Sequence, residues 1–269
     1  MTKLYLSNSK KLLNTAITVW FTIAVVGQWI FATYVMLFYG KATATGHSEK
    51  WNKVLPNGYV SGESLGNLIV GSHLLLAAII IIGGPLQLIP KVREFMPKFH
   101  RWNGRIYIFT AFILSLTGLY MVWVRGSIGG IIQHTSITIN AILIMVAAFF
   151  SIKYAKERNF KIHRIWAIRL FLVVNGVWFF RVGLYFWLFI NQGPVGFNPK
   201  TFEGPFLYFL TFSQYIIPLS LFELYLKAKK SSNKKVIQTT ITLIILVTII
   251  MTIGIFAATM GHWFPKMTE

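Results

Sequence analysis

From position 13 to position 39 the chain runs 27 residues without a charged side chain. A helix of about 20 such residues crosses the roughly 30 Å hydrocarbon core of a bilayer. Inside lipid a segment must satisfy its own backbone polar groups, so even β-branched stretches are driven into helix. Six further apolar stretches follow, at about 65–90, 106–124, 131–152, 165–190, 205–226 and 236–260. The expected fold class is therefore all-α, a polytopic membrane bundle of seven transmembrane helices forming one integral membrane domain over 1–269. Charged residues make up only 12% of the chain, against about 25% in soluble domains, which excludes a water-soluble globule. The first apolar stretch is too long for the about 7–15 apolar residues of a cleavable signal, so none is expected.

The net charge of +19 would ordinarily suggest a nucleic-acid partner, but its distribution gives another origin. Lys3, Lys10 and Lys11 precede the first stretch, and basic clusters fill the connections at 91–105, 153–164 and 227–235. These lie on one side of the membrane and hold 18 of the 26 Lys and Arg. The opposite side holds 6: Lys41, Lys50, Lys53, Arg125, Lys200 and Lys266. The positive-inside rule then predicts a cytoplasmic N-terminus and an external C-terminus, consistent with an odd number of spans. The charge records topology, and no nucleic-acid partner is expected. The remaining 2 basic residues, Arg169 and Arg181, fall inside the fifth stretch. An Arg in hydrocarbon costs several kcal/mol unless paired or hydrated, on the order of 3 kcal/mol on insertion scales, so both are functional candidates.

Four of the 6 His fall in a repeating pattern. His73 lies within the second stretch and His134 near the start of the fourth, while His100 and His163 precede the third and fifth. The separations are 61 residues from His73 to His134 and 63 from His100 to His163. An Arg directly follows both His100 and His163. Residues 66–124 and 131–190 thus read as two copies of one helical hairpin, an arrangement known among membrane proteins. The topology predicts His73 and His134 in the external half, with Arg181, and His100 and His163 at the cytoplasmic side, with Arg169. Helical periodicity sets small residues beside these His: Gly66, Ala77 and Gly84 with His73, Gly104, Ala111 and Gly118 with His100, and Ala141 and Ala148 with His134. Such faces permit close helix packing or the approach of a flat cofactor.

Two imidazoles from different helices can hold a haem iron from both faces, with Arg side chains neutralising the propionates. On that reading haem iron is bound through His73 and His134 on the external side and His100 and His163 on the cytoplasmic side. The role is then membrane electron transfer, with haem b as cofactor and a quinone or another redox carrier as partner. Any enzymatic activity would be redox. The absence of Cys excludes thioether-linked haem, iron–sulfur ligation and thiolate catalysis.

Residues Gly83, Gly84, Pro85 and Gln87, followed by His100, Arg101, Gly104 and Arg105 ahead of an Ile-Tyr pair, form a motif. It resembles that of an uncharacterised family of bacterial predicted membrane proteins, over about residues 66–181. That resemblance implies a multi-pass protein of the bacterial inner (cytoplasmic) membrane. Four His on four consecutive helices are more distantly similar to the two-haem b-type membrane cytochromes, and this similarity also implies haem. The repeat copies differ, because Gly104 has no glycine counterpart after His163.

Other readings stay open at this point. His100 and His163 also suit lipid headgroup contacts, and His73 suits a hydrogen-bonded packing role or a proton path. Arg181 with His73 would suit a small-solute transporter or channel, and the same chain would suit a non-catalytic assembly or scaffold role. Arg181 has polar candidates for partners in Asn140, Asn175 and Gln214. Glu223 is expected at the interface, and His47 and His262 in external loops.

Overall fold

The computed structural model describes residues 2–268, with side-chain surroundings from residue 8 onward; the Lys3 side chain lies outside that set. Among the described residues the regular structure is helical apart from one isolated bridge between Asn198 and Glu203. Helix α1 (Thr2–Val35) continues through a π-helical turn, Met36–Gly40, to Ala44. A 3-10 turn at Ser48–Lys53 leads to α2 (Ser64–Leu88), and a short helix, Pro90–Phe95, leads to α3 (Pro97–Trp123). Then come α4 (Gly130–Lys156), α5 (Phe160–Val174), α6 (Gly176–Asn191), α7 (Pro205–Lys230) and α8 (Lys234–Ala258). A second π-helical turn, Thr259–Trp263, extends α8.

Six of these helices are long and apolar enough to cross a membrane, or up to seven when α5 and α6, bent by 50°, are taken together as one span. The chain is a polytopic, all-α membrane bundle. Large apolar side chains such as Phe109, Phe112, Phe149, Ile245, Leu246 and Ile249 face outward, as lipid-solvated helices require.

Two boundaries differ from the sequence reading, for local reasons. The third helix begins at Pro97, not near 106, because a proline at the first helical turn has its φ preset and gives up no needed N–H. Charged residues do not end a helix that has reached the interface. His100 and His163 are consequently inside helices, each the fourth residue of its own. The fifth span is broken at Asn175 although no proline is present. There the Asn175 side chain donates to the Phe171 carbonyl at 2.8 Å, one turn back, and Gly176 follows. A polar side chain competing for its own helix's carbonyls beside a glycine is a recognised cause of bending. Across the break lies Asn140 of α4: a Cβ on Gly176 would sit 3.1 Å from its amide nitrogen.

The helices form a closed ring in which α1 packs on α2, α2 on α3, α3 on α4 and α4 on α5. Helix α6 packs on α8 and α8 returns to α1, while α7 covers α4, α5, α6 and α8. At the α6–α8 crossing the helices meet closely at Gly254. At the end opposite the basic loops, Arg125 knits the 57–67 segment to the end of α3, donating to the Asn57 carbonyl at 2.8 Å and pairing with Glu63 and Asn67. Its role there is structural.

Candidate functional site

At the basic end of the bundle the glycine-rich motif of α2 seats the start of α3. The Asn103 amide donates to the Gly83 carbonyl at 2.9 Å. Gly84 receives the Tyr107 ring so closely that an added Cβ would meet it at 2.9 Å. Pro85 has no N–H to offer, which removes one helical bond and loosens α2 at this level. The Gln87 amide donates to the His100 carbonyl at 3.1 Å, and Gly104 leaves room for that amide, whose oxygen would lie 3.3 Å from an added Cβ. Together these contacts fix the depth and rotation of the first turn of α3. The motif is thus a hairpin lock whose product is the position of His100.

That lock opens onto a cavity of about 2520 Å³ reached by residues of α1, α2, α3, α4, α5 and α7. This is well above the about 300–1,000 Å³ of an ordinary small-molecule pocket. His100 and His163 both line it, and the two rings lie within electrostatic reach of each other. His163 Nδ1 is 2.9 Å from the Ser151 carbonyl oxygen. A carbonyl only accepts, so Nδ1 carries the proton and the neutral ring keeps its lone pair on Nε2. The His100 Nδ1 atom is buried without a hydrogen-bond partner. Buried apolar side chains, including Phe171, Leu172 and Phe222, lead to a basic rim that includes Arg93, Arg101, Arg105 and Arg164. An apolar chamber with a cationic mouth suits a molecule that is greasy at one end and anionic at the other.

These residues fit a haem at this level. A His that donates Nδ1–H to a carbonyl and presents Nε2 is the usual outer-shell arrangement of a metal-ligating imidazole. Among the described residues no group of three or more His, Cys, Asp or Glu gathers to hold a bare metal ion. Arg169 is not among the cavity residues. It pairs with Glu223 of α7 at 2.8 Å and lies 4.5 Å from the centre of the Trp166 ring, so its charge is met within the protein, and Glu223 is that partner.

Towards the other end His73 and His134 each hydrogen-bond a different neighbour. His73 Nδ1 is 2.7 Å from the Thr117 hydroxyl, which itself donates to the Ile113 carbonyl at 2.9 Å. With that single hydroxyl proton committed, His73 is the donor. His134 Nε2 is 2.9 Å from the Ser127 carbonyl, and its ring meets Trp123 edge-on at 5.5 Å. Helices α2 and α4 both pack on α3, just as α3 and α5 both pack on α4.

Arg181 does come together with His73, which feels its charge. Its guanidinium donates to the Val177 carbonyl at 3.2 Å and lies 5.5 Å from the centre of the Phe31 ring. The expected amide partners are elsewhere: Gln214 bonds the Thr211 carbonyl at 2.6 Å, and Asn140 and Asn175 flank the helix break. Around Arg181 stand Tyr34, Tyr39 and Tyr185, all within reach of its charge. These tyrosines were not singled out in the sequence; aromatic residues in apolar stretches ordinarily signal lipid contact or interface belts. His262 is no loop residue, since its ring packs between Tyr34 at 5.9 Å and Tyr185 at 5.5 Å. His47 does occupy a loop-like position beside Glu49, at 3.3 Å.

No curated protein and no solved structure matches this chain. Residues 70–201, which contain both hairpin histidine pairs, Arg169 and Arg181, match a family described as Predicted membrane protein (DUF2306).

Proposed function

We propose that this protein is a b-type haem protein of the bacterial cytoplasmic membrane, with one haem held at the basic end between His100 and His163. The observation that carries the reading is that both imidazoles line one cavity, one of them oriented by a backbone carbonyl so that Nε2 is presented. Arg101, Arg105 and Arg164 on the rim would neutralise the propionates. By the positive-inside rule this end faces the cytoplasm. Haem supplies one-electron chemistry when bound. The chain's own part would be to orient the His163 ring through the Ser151 carbonyl, to line the cavity with Phe171 and Leu172, and to set the level of His100 by the hairpin lock. Held by both imidazoles, a haem would serve electron relay, with a membrane quinone as the suited partner class.

Titration of the purified protein with haemin tests this. A saturable absorption change with an endpoint near one haemin per chain, in a spectrum typical of six-coordinate haem, is expected. A spectrum that stays that of haemin in detergent alone would overturn the proposal.

A further inference from the structure

Away from the basic end, the surroundings of Arg181 form a second, independent site. The residue lies 10 positions before the end of α6, or about 15 Å along the helix. Among the described residues no carboxylate pairs with it, whereas Arg169, on the same bent span, has Glu223. Its nearest groups are a backbone carbonyl and the Phe31 ring, which leave most of the guanidinium donors without a strong acceptor.

The side chains that converge on it are donors too. Tyr34 is 2% exposed and its hydroxyl is turned towards Tyr39, whose ring centre lies 6.0 Å away, which leaves the Tyr39 hydroxyl proton to donate elsewhere. Tyr39 and Tyr185 add two further hydroxyls, and His73 adds an imidazole that feels the same charge. Two of the contributing elements are π-helical turns, one carrying Tyr39 and the other His262. Such turns are rare and gather at functional sites, because the extra residue re-aims side chains. A cation without its counter-charge, a buried pair of phenols and two rare helical turns meet in one place.

From this convergence we infer that the Arg181 chamber, walled by Phe31, Tyr34, Tyr39 and Tyr185, binds an oxyanion, a carboxylate or phosphate group. Guanidinium forks match such groups two bonds at a time, and phenol hydroxyls complete the shell. The oxyanion comes either from a free solute or from an acidic lipid headgroup entering from the bilayer.

The test is a thermal unfolding series on the full chain, at constant ionic strength. One arm adds sodium acetate or inorganic phosphate to protein in neutral detergent. The other compares phosphatidylcholine nanodiscs with and without phosphatidylglycerol. Saturable protection by acetate or phosphate assigns the free solute, and protection by phosphatidylglycerol alone assigns the lipid. Either should be lost in Arg181→Gln and weakened about tenfold in Tyr39→Phe, the loss of one hydrogen bond to a charged group. Lys200→Gln, which removes an exposed cation outside both sites, should leave it unchanged. Should Arg181→Gln fail to fold, the wild-type titration and Tyr39→Phe decide. No protection in either arm, or equal protection in wild type and variants, overturns the inference.

Discussion

His163→Ala and His100→Ala should each remove the pigment of the purified protein, whereas His73→Ala and His134→Ala should retain it. The asymmetry follows from geometry. His100 and His163 line one cavity, and neither His73 nor His134 is among its lining residues. Truncating either cavity His leaves at most one axial ligand, so residual haem would be weakly held and its spectrum would change from six- to five-coordinate. Ser151 makes its contact through its backbone carbonyl, so Ser151→Ala should preserve both orientation and colour. Absorption spectra of the four His variants, normalised to protein, check this. Equal loss in all four would indicate an effect on folding and contradict the assignment.

Gly254→Ala should be the most damaging single methyl in the bundle. A Cβ there would lie 2.3 Å from the backbone oxygen of Val182 and 2.8 Å from its Cγ1. A backbone carbonyl has no rotamer to escape into, so α6 and α8 must move apart along their whole crossing. Overpacking of this kind costs about 1–3 kcal/mol and sometimes more, and in lipid no hydrophobic gain between helices offsets it. By contrast, Gly27 meets the ends of Ile255 and Trp178 side chains, and Gly40 meets nothing within 4 Å. Gly40→Ala should be neutral or gain about 0.5–1 kcal/mol from reduced chain freedom. Thermal unfolding in one detergent ranks the variants. An unchanged midpoint for Gly254→Ala would show that the α6–α8 contact is looser than described.

Much of this architecture could be read in the sequence because lipid imposes a crude rule: about 20 apolar residues per span. That rule located the seven stretches. It could not place the break at Asn175, where the bend comes from one side-chain hydrogen bond and a glycine rather than a proline. Nor could it show the π-helical turns, which depend on packing at the ends of α1 and α8. The cavity pair was legible through the 63-residue spacing of His100 and His163, since a repeated hairpin returns equivalent positions to the same level. Arg169 and Arg181 looked alike in sequence, two cations in one apolar stretch. Only the fold distinguishes them, because the partner of Arg169 lies 54 positions away on α7 while Arg181 faces tyrosines.

The haem content of protein purified from haem-replete cells, measured as the pyridine haemochrome and divided by chain concentration, tests the central claim most directly. The account predicts haem b at about one per chain, the number of sites having two unshared imidazoles in one cavity. A colourless protein, or one with two haems per chain, would contradict it.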